Sequence, residues 1–239
     1  MSYTMVLIMN PFIKLLKFFR SLINIFGIDV HLIKTKSSES ALYLNSKEIS
    51  NMNWKDPKVV NKFLDKERLS MFDEIIRLLH TSQIFPGNQP VADVGCGAGI
   101  FLKIISERMN AKNLTGFDFS ENSLNIASKI FPGAHYIKHD IYQPVNTYYY
   151  LITCTEVIEH LLEPEIAVIN LIKMMSPGGW LLITVPDGRK DQFEGHINFW
   201  SPESWERFIQ KNADNCRYSC GKIGKQNLYA LLQKPPFST

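Results

Sequence analysis

An apolar run ending in an acidic residue, Val91-Ala92-Asp93-Val94, leads into three glycines at alternate positions, Gly95, Gly97 and Gly99, and then into the apolar pattern Ile100-Phe101-Leu102. Glycine lets a backbone turn tightly and come close to a bound group. A strand, a glycine turn and a helix whose N-terminus faces the turn together make a ligand cradle. The spacing differs from the dinucleotide fingerprint G-x-G-x-x-G, and no Gly-Lys-Ser/Thr follows, which disfavours a triphosphate site. Asp118 closes the next apolar run, 23 residues after Gly95, where a carboxylate accepts both hydroxyls of a ribose. Asp140 closes the run after that, placed to read an adenine amino group. With no basic residue directly after the glycines, the cradle suits a nucleoside without phosphate.

A second constellation follows the fourth apolar run: Thr155-Glu156-Val157-Ile158-Glu159-His160. On a helix, Glu156, Glu159 and His160 stand at i, i+3 and i+4 and share a face. Two carboxylates and an imidazole so placed could hold a divalent ion, with His196 completing the set. Such an ion, Mg²⁺ being the expected one, would lower the pKa of a substrate hydroxyl. Without an ion, His160 or His196 could act as general base, because imidazole titrates near neutrality. The plainer reading is that Glu159 and His160 only pack a strand–helix junction. Phe193, Phe199, Trp200 and Trp205 are candidates to roof a substrate pocket, though such residues also build cores.

These residues need a scaffold, and the pattern supplies one. Strands are expected at 90–95, 114–119, 134–140, 148–155 and 180–185, with helices at 99–109, after Ser120, up to about Met175 and from Ser201-Pro202. Ser176-Pro177-Gly178-Gly179 reads as a turn, and 216–234 as a terminal hairpin around Gly224. Strand–helix alternation closed by a hairpin predicts an α/β fold: a doubly wound, mainly parallel sheet of seven strands with an antiparallel edge. The carboxyl ends of its parallel strands then share one rim. Ahead of it, residues 35–56 are polar and read as a linker, and Val60, Phe63, Leu64, Ile75, Ile76 and Leu79 as a helical cap. The expected division is 1–34, 35–87 and 88–239, the last being the ligand-binding and catalytic part.

Taken together, Asp93-Val-Gly95-Cys-Gly97-Ala-Gly99, Gly116-Phe-Asp118-Phe-Ser120, His139-Asp140-Ile141 and Ser176-Pro-Gly-Gly179 resemble the class I S-adenosylmethionine-dependent methyltransferases over about residues 88–234. The resemblance implies S-adenosyl-L-methionine as cofactor. It places Gly95 and Gly97 at the methionine portion, Asp118 at the ribose and Asp140 at the adenine. Asp93 and Gly99 would hold the turn, and Cys96, Phe119, Ile141 and Thr155 would line the same pocket. The Glu-Val-Ile-Glu-His segment is similar to those of ubiquinone-biosynthesis O-methyltransferases. It is also similar to those of small-RNA 3′-terminal ribose 2′-O-methyltransferases, which hold Mg²⁺ with two glutamates and two histidines. Both imply transfer to oxygen, with Glu156, His160 and His196 as the catalytic candidates. No Asn/Asp-Pro-Pro-Tyr/Phe or Pro-Cys follows the fourth strand, which disfavours base amino groups and cytosine C5.

The remaining composition narrows the partners. A net charge of +3 is too small to argue for nucleic acid, and basic residues cluster only at Arg189-Lys190. The expected acceptor is thus a hydroxyl of a small molecule, sugar or glycolipid, the glycan reading leaning on a short N-terminal pattern seen in surface-polysaccharide methyltransferases. RNA ribose and a catalytically silent docking protein are the alternatives. Four scattered cysteines suit free thiols in a reducing cytosol. Phe12, Leu15, Leu16, Phe19, Ile23 and Phe26 form one face of a basic amphipathic helix. That helix, over residues 11–26, could contact a membrane surface, a partner, a second subunit or its own domain. The sequence is silent on oligomeric state.

Overall fold

The computed structural model describes residues 44–236 apart from residue 63. The expected amphipathic helix at 11–26 lies outside the described residues. Three helices come first: α1 (Lys47–Asn53), α2 (Pro57–Lys62) and α3 (Lys66–Thr81). The segment read as a polar linker therefore contains α1, and the single helical cap is divided in two. Asp65 makes the division by capping α3, its side chain accepting the Arg68 N–H at 2.8 Å.

The alternating part follows as β1 (Pro90–Val94), α4 (Ile100–Met109), β2 (Asn113–Asp118), α5 (Glu121–Ile130), β3 (His135–Lys138) and β4 (Tyr149–Thr155). After it come a 3-10 turn (Ile158–His160), α6 (Pro164–Met174), β5 (Met175–Pro186), α7 (Pro202–Asn212), β6 (Arg217–Ile223) and β7 (Asn227–Gln233). These strands form one seven-stranded sheet in the order β3-β2-β1-β4-β5-β7-β6. β3 through β5 run parallel, while β7 lies antiparallel between β5 and β6, as the terminal hairpin required. The doubly wound α/β reading holds.

The sheet is buried on both faces, and the strand residues alternate between two cores. Ala92, Ile152 and Ile183 pack on one side with α6 and α7. Val91, Leu151 and Leu182 pack on the other with α3, α4 and α5. Two boundaries differ from the sequence reading. β3 stops at Lys138 because Asp140 opens a local turn, its Oδ1 accepting the Tyr142 N–H at 3.1 Å. The Ser176–Gly179 turn is absorbed into β5 as an irregular start, with Gly178 at φ +73° and a register shift opposite Tyr149–Leu151.

Capping decides where α7 begins, and α7 ends the loop that matters most below. Ser201 Oγ accepts the Ser204 N–H at 3.1 Å, and Ser204 Oγ accepts the Ser201 N–H at 2.9 Å. Ser201→Ala is expected to lower stability by about 1 kcal/mol. In a domain of this size that is a fall in Tm of about 2–4 °C in a thermal melt.

Candidate active site

The carboxyl ends of β1, β2, β4 and β5 meet at one rim. There the three glycines adopt φ of +79°, +51° and +71°, values that side-chain-bearing residues rarely take. The turn is stitched to β2: the Gly95 and Cys96 N–H groups both donate to Phe117 O, at 2.7 and 3.0 Å. Asp118 holds it from the side, accepting the Gly97 N–H on Oδ2 at 2.9 Å and the Ser120 N–H on Oδ1 at 2.8 Å. Gly99 is the N-cap of α4 and offers no side chain to cap it, so the first amides of the helix stay available to a ligand. Asp93 lies deeper, 2% exposed, accepting the Thr153 hydroxyl at 2.7 Å.

Electrostatics around this turn are unbalanced. Burial, with Asp118 nearby and against the Thr153 hydrogen bond, pushes Asp93 up to about 7. Burial also raises Asp118, opposed by hydrogen bonds from Ser120 and Gly97. Neither carboxylate has an ion-pair partner among the described residues. The residues thus fit an S-adenosyl group on two counts: three glycines at alternate positions hold the turn at positive φ at the rim, and the Asp118 carboxyl at the end of β2 keeps lone pairs beyond the two N–H groups it accepts. Burial raises the Cys96 thiol well above its usual range, so it is a neutral wall of this pocket and no nucleophile. Asp140 lies two residues beyond β3. Phe119 is partly buried, and so are Ile141, which packs against the core, and Thr155, which ends β4.

Next to the turn stands the second constellation, in a different shape from the expected helix. Glu156 has φ +57°, which breaks any helix at its first residue. Its N–H donates to Thr184 O at 3.1 Å, and its Oε1 accepts the Thr184 hydroxyl at 3.0 Å, so it is turned toward β5. Burial raises the Glu156 pKa against the opposing pull of Arg68 and the Thr184 hydrogen bond. The chain then makes the 3-10 turn, and the loop after β5 comes back over it. The Ile197 and Asn198 N–H groups both donate to Glu159 O at 2.9 Å. Asn198 Nδ2 adds bonds to Ile158 O and Leu161 O.

This return brings Glu159, His160 and His196 together, with one donor atom from each lying within 4.8 Å of the others. Glu156 does not join that group, so three of the four expected ligands converge. Glu159 is fully buried, and both its oxygens lack a hydrogen-bond partner. Its Oε1 lies 3.9 Å from His160 Nε2 and 3.8 Å from His196 Nε2, beyond hydrogen-bonding distance. Burial and the nearby Glu156 raise its pKa well above the carboxylate range. The far nitrogens of both rings are engaged: His160 Nδ1 with Gly195 O at 3.2 Å, His196 Nδ1 with Asp191 Oδ2 at 2.6 Å. Burial first, then His196, lowers the His160 pKa to about 4, so this ring is neutral at physiological pH.

The two halves touch. A Cβ on Gly95 would run into the Val157 side chain, which sits between Glu156 and the 3-10 turn. Phe193 packs its ring near both imidazoles, with centroids 6.2 Å from His160 and 4.9 Å from His196, and remains 54% exposed. Phe199 lies 6.5 Å from His196. Trp200 and Trp205 are buried in the core with Phe208 and do not roof the site. The sequence alone assigns no role to Asp191, Asn198, Asn45 or Asn51. Asn45 Nδ2 donates to Gly195 O at 2.7 Å, and Asn51 Oδ1 accepts the Ser120 hydroxyl at 2.7 Å. These bonds lay the segment leading into α1 on the loop after β5, and α1 itself against the start of α5. Only Asp191, an acid five residues before a candidate histidine, left a usable trace in the sequence.

Comparison with known proteins agrees with this geometry. A family profile described as a methyltransferase domain matches residues 63–212. The ubiquinone biosynthesis O-methyltransferase of Nitrosomonas europaea is 29% identical over 147 residues, covering 55% of this chain and 57% of that one. A trans-aconitate 2-methyltransferase of Delftia acidovorans is 30% identical over 149 residues, covering 61% and 55%. The chain spans about half the length of the curated relatives it matches. Among solved structures, the N-methyltransferase NodS of Bradyrhizobium japonicum, in complex with S-adenosyl-L-homocysteine, superposes with a TM-score of 0.67. It shares 19% identity, covering 80% of this chain and 99% of that one. The chain belongs to the methyltransferase domain family, with the class I, S-adenosylmethionine-dependent architecture.

Proposed function

We propose that the protein transfers the sulfonium methyl of S-adenosylmethionine to a hydroxyl oxygen of a small molecule, sugar or glycolipid. The observation that carries the reading is the close approach of Gly95 to Val157, the residue that leads into the 3-10 turn carrying Glu159 and His160. S-adenosylmethionine supplies a methyl carbon already bonded to a good leaving group. The C–S bond breaks with its electrons staying on sulfur, the C–O bond forms in line, and the hydroxyl proton passes to solvent. Asp118 holds the ribose and the turn at Gly95 and Gly97 lies along the methionine portion, while Asp140, Phe119, Ile141, Cys96 and Thr155 shape the nucleoside pocket. Rate then comes from proximity and orientation. That relatives are named for O-methylation supports oxygen as the acceptor.

Glu159, His160 and His196 form the group that would hold a divalent ion, whose chemistry there would be to acidify the acceptor hydroxyl. The fit rests on a buried carboxylate with no partner and two rings whose other nitrogens are already engaged. Two imidazoles and one carboxylate suit a first-row transition ion such as Mn²⁺, Co²⁺ or Zn²⁺ better than the Mg²⁺ expected from the sequence, which prefers oxygen. Glu156, tied to Thr184, is a wall of the site in this reading.

Among the described residues no helix is long and apolar enough to cross a membrane. The test is transfer from methyl-labelled S-adenosylmethionine to a panel of quinols, hydroxy acids, sugars, glycolipids and small RNAs. Label is expected on a hydroxyl acceptor, with at least a tenfold loss after chelation and recovery on adding Mn²⁺ or Co²⁺. Label on RNA 3′ ends would replace the acceptor class. Binding of S-adenosylhomocysteine with no transfer to any acceptor would favour a silent docking protein.

A further inference from the structure

An imidazole offers a lone pair at one nitrogen only when the other carries the proton, and the acceptor facing that other nitrogen decides which. His160 leans on a backbone carbonyl, Gly195 O, which no side-chain substitution alters. His196 leans on the Asp191 carboxylate, its Nδ1 2.6 Å from Oδ2 and its Nε2 facing Glu159 Oε1 at 3.8 Å.

That carboxylate is held on all sides. The Asp191 side chain is 6% exposed. Its Oδ1 accepts the Phe193 N–H at 3.0 Å, and its own N–H donates to Asp187 O at 3.0 Å. Asp187 is gripped in turn by Arg189, at 2.9 and 2.7 Å, and donates its N–H to Gln226 O at 2.7 Å. The loop therefore carries a rigid chain from the β6–β7 turn through Asp187 and Asp191 to one ring of the site.

We propose that Asp191 is a positioning residue that acts through His196. It keeps the proton on Nδ1 and fixes the ring, so that Nε2 faces Glu159 and His160 as a free lone pair. The consequence for metal affinity rests on the divalent-ion reading above; the consequence for the tautomer does not. Asp191→Asn separates the two. The amide can keep its oxygen on the Phe193 N–H while turning an NH₂ donor toward His196 Nδ1, which forces the proton to Nε2.

The experiment uses the full chain. Nitrogen-15 histidine spectra of the metal-free protein report the tautomer, Co²⁺ absorption bands report affinity, and calorimetry with S-adenosylhomocysteine reports the fold. In the wild type His196 is expected as the Nδ1–H tautomer, and in Asp191→Asn as Nε2–H. Co²⁺ affinity is expected to fall about 10–100-fold, with S-adenosylhomocysteine affinity unchanged. A wild type that binds no Co²⁺ but shows the tautomer switch removes the metal reading and upholds the role of Asp191. An Nε2–H ring in the wild type, or a variant with unchanged tautomer and unchanged Co²⁺ affinity, overturns the proposal.

Discussion

Asp118→Asn is expected to weaken S-adenosylhomocysteine binding by about 100-fold or more, read by calorimetry. Both Asp118 oxygens already accept a backbone N–H, from Gly97 and from Ser120, so the carboxylate organises the glycine turn before any ligand arrives. An asparagine must aim its NH₂ at one of those N–H groups, where two donors oppose each other. The ribose hydroxyls also lose an anionic acceptor, and hydrogen bonds to charged groups are each worth about 1.5–3 kcal/mol. One such loss is already a factor of about 10–150. The loosening of the turn adds to it. If affinity is unchanged in a folded variant, the nucleoside does not sit on Asp118.

Glu159→Gln is expected to separate stability from activity. Glu159 is fully buried with neither oxygen hydrogen-bonded, an arrangement that costs the metal-free fold about 1–3 kcal/mol or more. Burial already holds the metal-free carboxyl neutral, and the glutamine amide is as unbonded as the acid it replaces, so the Tm of the metal-free protein should stay within about 2 °C of the wild type. The same change removes the anionic member of the three-residue group, so divalent-ion binding is expected to disappear. Methyl transfer should fall at least about tenfold, as on chelation, since the ion's acidifying effect goes with it. A thermal melt and a Co²⁺ titration on one preparation decide it. A variant that is less stable and binds Co²⁺ as tightly as the wild type would show that Glu159 is a packing residue.

The parts of this molecule visible in its sequence are those set by local chemistry. Alternation of apolar runs gave the parallel strands, Ser120 and Ser201 marked their helix starts, and the glycines marked the turn. Asp118 was readable because its distance along the chain from those glycines matches the span of a strand–helix–strand unit, and Asp93 because it sits at the end of the strand two residues before Gly95. The parts that were hidden depend on contacts far apart in sequence. Glu156-Val157-Ile158-Glu159-His160 has helical spacing, yet Glu156 is drawn to Thr184 and Glu159 O is bonded by Ile197 and Asn198. Those partners lie some distance along the chain, and no periodicity reports them. Likewise α1 is held by Asn51 on Ser120 and Asn122, across 69 and 71 residues. Trp200 and Trp205 show the opposite error: aromatic residues near a site in sequence were assigned to its roof, whereas the core took them. The convergence of Glu159, His160 and His196 was legible as a set of residue types, but its membership was not, because Glu156 left it through one backbone torsion.

A crystal structure with S-adenosylhomocysteine tests the central claim most directly, that the glycine turn and the Glu159–His160–His196 group are two halves of one site. The account predicts the ribose on Asp118, the adenine beside Asp140, and the sulfur directed past Val157 toward the two imidazoles. A sulfur directed away from Glu159, His160 and His196, with the nucleoside bound elsewhere on the rim, would contradict it.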